Sequence, residues 1–153
     1  MQVIVEHFPA FRFKAVNETG NEVHMDASPA IGGEETGMRP MEMLLAGLGG
    51  CSGIDVVNIL KKKKQEFGSF KMHVNAVRDP REVPSLFKTI QVDFYFEGER
   101  INTDKVMQAV DLSIGKYCSV AKTLEKTAAI TYSIFVNGKA ITERKTAADT
   151  ISL

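Results

Sequence analysis

PMEMLLAGLGGCSGIDVVNILKKKKQ, residues 40–65, reads as one apolar helix that carries four glycines and a cysteine. Pro40 stands at a favoured first-turn position and Glu42 near the positive end of the helix dipole. Lys61 to Lys64 stand at the other end, where cations complement the dipole. A glycine costs a helix interior about 1 kcal/mol relative to alanine, so Gly47, Gly49, Gly50 and Gly53 together forgo roughly 4 kcal/mol if all are helical. A cost of that size has two candidate reasons, close packing or chemistry at Cys51. The segment is apolar on nearly all sides, so the helix must be surrounded, by sheet on one side and something else on the other. In a chain of 153 residues that second cover can be another copy of the chain.

Working outward, AFRFKAVNETGNEVHMDAS (10–28) places Phe11, Phe13 and Ala15 on one face and Arg12 and Lys14 on the other, turns at NETGN, and resumes with Val23 and Met25. That is a β-hairpin, with Gly20 free to take positive φ. SPAIGGEETGMRP (28–40) has no period and is a loop. FKMHVNAVRD and LFKTIQVDFYFEG read as strands, the first alternating through Met72, Val74 and Ala76, the second through Ile90, Val92, Phe94 and Phe96. NTDKVMQAVDLSIGKYC opens on a cap cluster and spaces Val106, Ala109, Val110 and Ile114 as a helix. A short helix follows Cys118, and AAITYSIFVNGKA closes as a strand ending in an NG turn. The order β-β-α-β-β-α-α-β, with strands grouped in pairs, predicts an α+β fold with mainly antiparallel sheet, in a single domain over 1–153.

Nineteen basic residues balance nineteen acidic ones. The balance removes the general electrostatic argument for nucleic acid or an anionic membrane and favours self-association. The first residues lack a basic n-region and an apolar h-region, and Glu42, Ser52, Asp55 and Asn58 interrupt the apolar run 41–60. A cytoplasmic protein without a membrane span is the expectation. His7, His24 and His73 fall in predicted strands, and no HxxxH or CxxC spacing occurs, so no metal is expected. Neither GxGxxG, GxxxxGK[ST] nor GxSxG is present, so no nucleotide cofactor or esterase elbow is expected.

Two cysteines remain, and inside a cell such a pair is more often redox-active, catalytic or metal-binding than a permanent staple. Cys118 falls at a helix start, where the dipole and unpaired N–H groups stabilise a thiolate, with Lys116 and Lys122 near. Cys51 lies in mid-helix and needs a cation from elsewhere, Arg39 or Arg12. A redox thiol pair and a close helix crossing explain the glycines equally well.

RPMEMLLAGLGGCSGIDVV followed by LSIGKYCSVAKTL resembles the OsmC/Ohr family of thiol-dependent hydroperoxide reductases, nearest its YhfA-like branch, over essentially the whole chain. The resemblance implies sheets wrapped around two central helices in an intertwined homodimer. It implies that Cys51 attacks a peroxide O–O bond and becomes a sulfenic acid, that Cys118 condenses with it to a disulfide, and that an external dithiol reduces that bond. It also implies an arginine and a glutamate, matching Arg12 and Glu42, that lower the first thiol's pKa and orient the peroxide. The substrate expected is an organic hydroperoxide, without cofactor or metal. The family glutamate directly follows the helix-start proline; here Met41 intervenes, and one residue is ~100° of helix rotation. That shift carries the alternative, an OsmC-like dimeric binding or electrophile-sensing protein without efficient peroxidase turnover.

Overall fold

The computed structural model describes residues 1–142 and 144–146. They fall into two compact units, Met1–Leu44 and Leu45 onward.

The first unit is an antiparallel sheet of β1 (Val3–Phe8), β2 (Arg12–Asn17) and β3 (Glu22–Met25), in that order. The predicted hairpin is β2–β3, in register from Phe13↔Met25 to Val16↔Glu22, and Gly20 takes φ +83° in its turn. Strand β1, which holds His7, lies ahead of the predicted hairpin and adds a third strand to it. Every one of its residues is exposed, so no alternation of buried and exposed positions marks it, and it is held by pairing with β2 from Val3↔Asn17 to Phe8↔Arg12.

The loop after β3 winds around Asp26, which is 2% exposed. Its carboxylate accepts from the Ala27 N–H at 2.7 Å, the Glu34 N–H at 3.0 Å, and the Thr36 N–H and hydroxyl at 3.1 and 3.0 Å. Gly33 completes the wrap, since a Cβ there would lie 2.0 Å from the Ala27 carbonyl oxygen. The Thr36 N–H, followed by those of Glu34 and Ala27, holds the Asp26 carboxyl below its ordinary value of 3.8, against the opposing effect of burial. A depressed folded-state pKa contributes stability that is complete above the unfolded value and lost as pH falls through the folded one. Hydrogen exchange should therefore show the Glu34 and Thr36 amides protected at neutral pH and released only as pH falls below the ordinary carboxyl range. Protection that survives full protonation of the carboxylates in strong acid would contradict the carboxylate's role.

Helix α1 (Pro40–Lys62) leads into the second unit, which continues with β4 (Ser69–Arg78), β5 (Phe87–Glu97), α2 (Thr103–Leu112), a π-helical turn (Ser113–Tyr117), α3 (Ser119–Leu124), β6 (Ala129–Val136), β7 (Lys139–Ala140) and β8 (Lys145–Thr146). The sheet order is β4-β5-β6-β7, with β8 also on β6. All pairs are antiparallel except β5–β6, a parallel pair in register from Thr89↔Ala129 to Phe96↔Val136. The α+β class with mainly antiparallel sheet is therefore observed. Asn137 and Gly138 make the predicted NG turn with φ +49° and +76°.

The core is the inward row of β5 (Ile90, Val92, Phe94, Phe96) and β6 (Ile130, Tyr132, Ile134, Val136), met by Val56 and Leu60 of α1 and by Val106, Ala109 and Val110 of α2. By length and composition alone α1 is apolar enough to cross a membrane. Its Leu48, Gly49, Ser52, Gly53, Val56 and Leu60 are instead buried in the protein. Gln65 fastens its end to the start of α2, donating to the Arg100 carbonyl at 2.9 Å and accepting from the Asn102 N–H at 3.2 Å. The four glycines divide. A Cβ on Gly49 would lie 3.5 Å from Val74 Cγ2, and one on Gly53 only 2.7 Å from Met72 Cε, so these two let α1 settle on β4. Gly47 and Gly50 face open space on the other side.

Candidate functional site

Cys51 sits midway along α1, half-buried, and Cys118 is fully buried at the start of α3. They are 67 positions apart in the chain. The connection between them is a short run of hydrogen bonds. The π-helical turn lets the Cys118 N–H reach back five residues to the Ser113 carbonyl at 2.8 Å. The buried Ser113 hydroxyl donates to the carbonyl of Ser52, the neighbour of Cys51, at 3.1 Å. Extra-residue turns of this kind recur at functional sites because they re-aim one side chain without breaking the helix.

The outcome is a cluster of three donor atoms. Cys51 Sγ, Cys118 Sγ and a carboxylate oxygen of Asp55 all lie within 4.8 Å of one another. Asp55 follows Cys51 by one helical turn, so the two share a face of α1. Its Oδ2 is buried and has no hydrogen-bond partner among the described residues. Asp55 also lines a cavity of about 550 Å³ with Asn58, Ile59, Leu112 and Tyr117, flanked by Lys62 and Lys63.

Cys118 stands at the N-cap of α3, as expected, and its Sγ accepts from the Ala121 N–H at 3.3 Å. The chemical consequence is the reverse of the expected one. Burial pushes the Cys118 thiol up to about 12, the Ala121 N–H offsets only part of this, and the adjacent Cys51 adds to it. The two nearby cations are turned to other partners: Lys122 to Glu125 at 3.0 Å and Lys116 over the Tyr117 ring. Desolvation wins over the helix terminus, so Cys118 is held as a thiol.

Glu42 and Arg12 belong to the first unit. Glu42 lies three residues after Arg39 and accepts its backbone N–H at 2.9 Å, the reciprocal half of a capping box, while its other oxygen is 3.8 Å from Arg39 Nε. Arg12 Nε donates to the Pro9 carbonyl at 3.2 Å and lies 3.7 Å from Glu34. The glutamate thus has Arg39 as its ion-pair partner, and Arg12 has Glu34.

Asp55 is the residue that sequence reasoning missed, entering only as an interruption of an apolar run. Its signal was the spacing of four from Cys51. The three donors are also the side chains in the described residues that come close enough to share a metal ion, which local spacing had not suggested; two sulfurs and one oxygen would suit a thiophilic ion. The histidines have other roles: His7 bonds the Ala10 carbonyl at 3.0 Å, His24 lies 3.5 Å from Glu22, and His73 packs on Tyr95.

Comparison with known proteins gives consistent results. Residues 32–133 match the family model described as OsmC-like protein. The chain is 38% identical to protein YhfA of Escherichia coli K12 over 133 residues, covering 87% of this chain and 96% of that one. A crystal structure of a hypothetical protein from Aquifex aeolicus superposes with a TM-score of 0.77 at 32% identity, covering 89% of this chain and 95% of that chain. An organic hydroperoxide resistance protein OsmC from Legionella pneumophila shares the fold, with a TM-score of 0.62 at 13% identity over 89% of this chain and 96% of its own.

Proposed function

The chain belongs to the OsmC-like family, and on that footing we propose that it is a thiol-dependent peroxidase that reduces organic hydroperoxides through Cys51 and Cys118. The observation that carries this reading is the approach of the two sulfurs to within 4.8 Å. The half-buried Cys51 attacks the terminal peroxide oxygen as a thiolate. The O–O bond breaks, the alcohol leaves, and Cys51 becomes a sulfenic acid. Cys118 then attacks that sulfur, forming the disulfide and releasing water. An external dithiol returns both thiols to the reduced state. Closing the pair to a bonded distance of about 2.05 Å needs only local movement.

Glu42 and Arg12 enter this reading through the family resemblance, as activators of Cys51. A dimer enters it through α1. Gly47, Gly50, Ile54 and Val57 recur at intervals of three and four along one face, all exposed, with Ile54 at 72%. That spacing is the seam of a close helix crossing, and a second copy of α1 supplies the missing cover.

The test is a steady-state assay with an organic hydroperoxide and a dithiol reductant. Turnover dependent on both thiols is expected. Binding of electrophiles without turnover would favour the alternative, a dimeric binding or sensing protein. One observation lends that alternative weight, namely that Glu42 is already engaged in capping α1.

A further inference from the structure

We propose that Asp55 is the proton acceptor of the resolving step, taking the Cys118 thiol proton as that sulfur attacks Cys51. The inference rests on the Cys51–Cys118 pairing above and adds the group that the pairing lacks.

The nucleophile in any thiol exchange is the thiolate, yet Cys118 is fully buried and its cap bond comes from an N–H group, which cannot accept a proton. Lys116 and Lys122 are cations and are turned to other partners, so they offer no base either. Cys51 is the atom under attack. Asp55 is the remaining member of the cluster, with a carboxylate oxygen within 4.8 Å of both sulfurs. Buried carboxylate oxygens are normally hydrogen-bonded, and one left open beside two thiols calls for a use in another state of the site. Asp55 Oδ2 is such an atom. The residue also lines the 550 Å³ cavity with Asn58 and Tyr117.

The step balances without a further reagent. The Cys118 S–H proton passes to the Asp55 carboxylate as the S–S bond forms and the S–O bond of the Cys51 sulfenic acid breaks. The departing hydroxide takes the proton from Asp55 and leaves as water. The sulfenic sulfur is reduced, Cys118 is oxidised, and the carboxylate is restored.

The same chemistry can be read without peroxide, using the aromatic disulfide 5,5′-dithiobis(2-nitrobenzoate) on the full-length reduced protein with EDTA present. Cys51 releases one thionitrobenzoate as it forms a mixed disulfide, and Cys118 releases a second as it displaces the first attachment. In Asp55→Asn, which keeps the side-chain volume, the first release should not slow, because removing a negative charge beside Cys51 favours its thiolate. The second should slow at least tenfold, with the Cys51 mixed disulfide accumulating by mass spectrometry. Asp55→Glu should recover most of the second rate. An unchanged second phase in Asp55→Asn would overturn the proposal and leave the pairing intact. Equal slowing of both phases, or no recovery with glutamate, would make the role one of packing and overturn it too. A wild-type protein that releases a single equivalent would refute the pairing itself.

Discussion

Cys51→Ser should abolish the reduction of organic hydroperoxide, a loss of at least about a thousandfold, because a serine hydroxyl cannot replace the more accessible of the two thiols. Cys118→Ser should fail differently. Its Cys51 still attacks the first equivalent of peroxide, since Cys118 takes no part in that step. The sulfenic acid then has no resolving thiol and proceeds to sulfinic or sulfonic acid, which a dithiol does not reverse. Single-turnover alcohol formation together with the mass of the Cys51 peptide separates the two variants. Cys51→Ser with wild-type turnover would end the assignment of Cys51 as nucleophile, and a Cys118→Ser protein that cycles normally would end the pairing.

The second large effect concerns assembly. The protein should be an obligate dimer, and Ile54→Glu should weaken it at least ~100-fold, about 2.7 kcal/mol. Ile54 is 72% exposed within one subunit, so a glutamate there meets no neighbour in the monomer. At a two-fold helix crossing the same change brings two carboxylates together between apolar surfaces, where charge is poorly solvated. Burying an isoleucine or valine side chain contributes roughly 1.5–3 kcal/mol, and each subunit brings Ile54 and Val57. Sedimentation is the measurement. A wild-type chain that stays monomeric and folded at micromolar concentration would contradict the assignment, and so would an Ile54→Glu dimer of undiminished affinity.

Much of the fold was legible because the strands and helices carry their own period. The β5 row of Ile90, Val92, Phe94 and Phe96 alternates, and all four are buried. The α2 positions Val106, Ala109 and Val110 follow the helical period, and all three are buried as well. Strand β1 has no such period, and its pairing with β2 exists only in three dimensions. The short β7 and β8 are set by the register on β6 rather than by their two residues each.

At the site the positions were easier to read than the chemistry. Cys118 was placed at a helix start, but the burial that overrides the helix terminus comes from packing, which the local sequence does not express. Glu42 was placed at the positive end of α1, and its bond to the Arg39 N–H is the capping form of that placement. The four glycines do not share one role. Gly49 and Gly53 admit the sheet, while Gly47 and Gly50 leave an open face beside Cys51. Asp55 was hidden by an expectation that a charge in an apolar helix merely interrupts it. Spaced four from a cysteine, it is brought to the two sulfurs by the fold of α1 and the π-helical turn.

The central claim is that Cys51 and Cys118 act as one redox pair. Mass spectrometry of alkylated protein after about one equivalent of organic hydroperoxide tests it most directly. The account predicts loss of both alkylatable thiols and a Cys51–Cys118 peptide linked within one chain. Two thiols that remain fully alkylatable, or a Cys51 oxidised while Cys118 stays free, would contradict it.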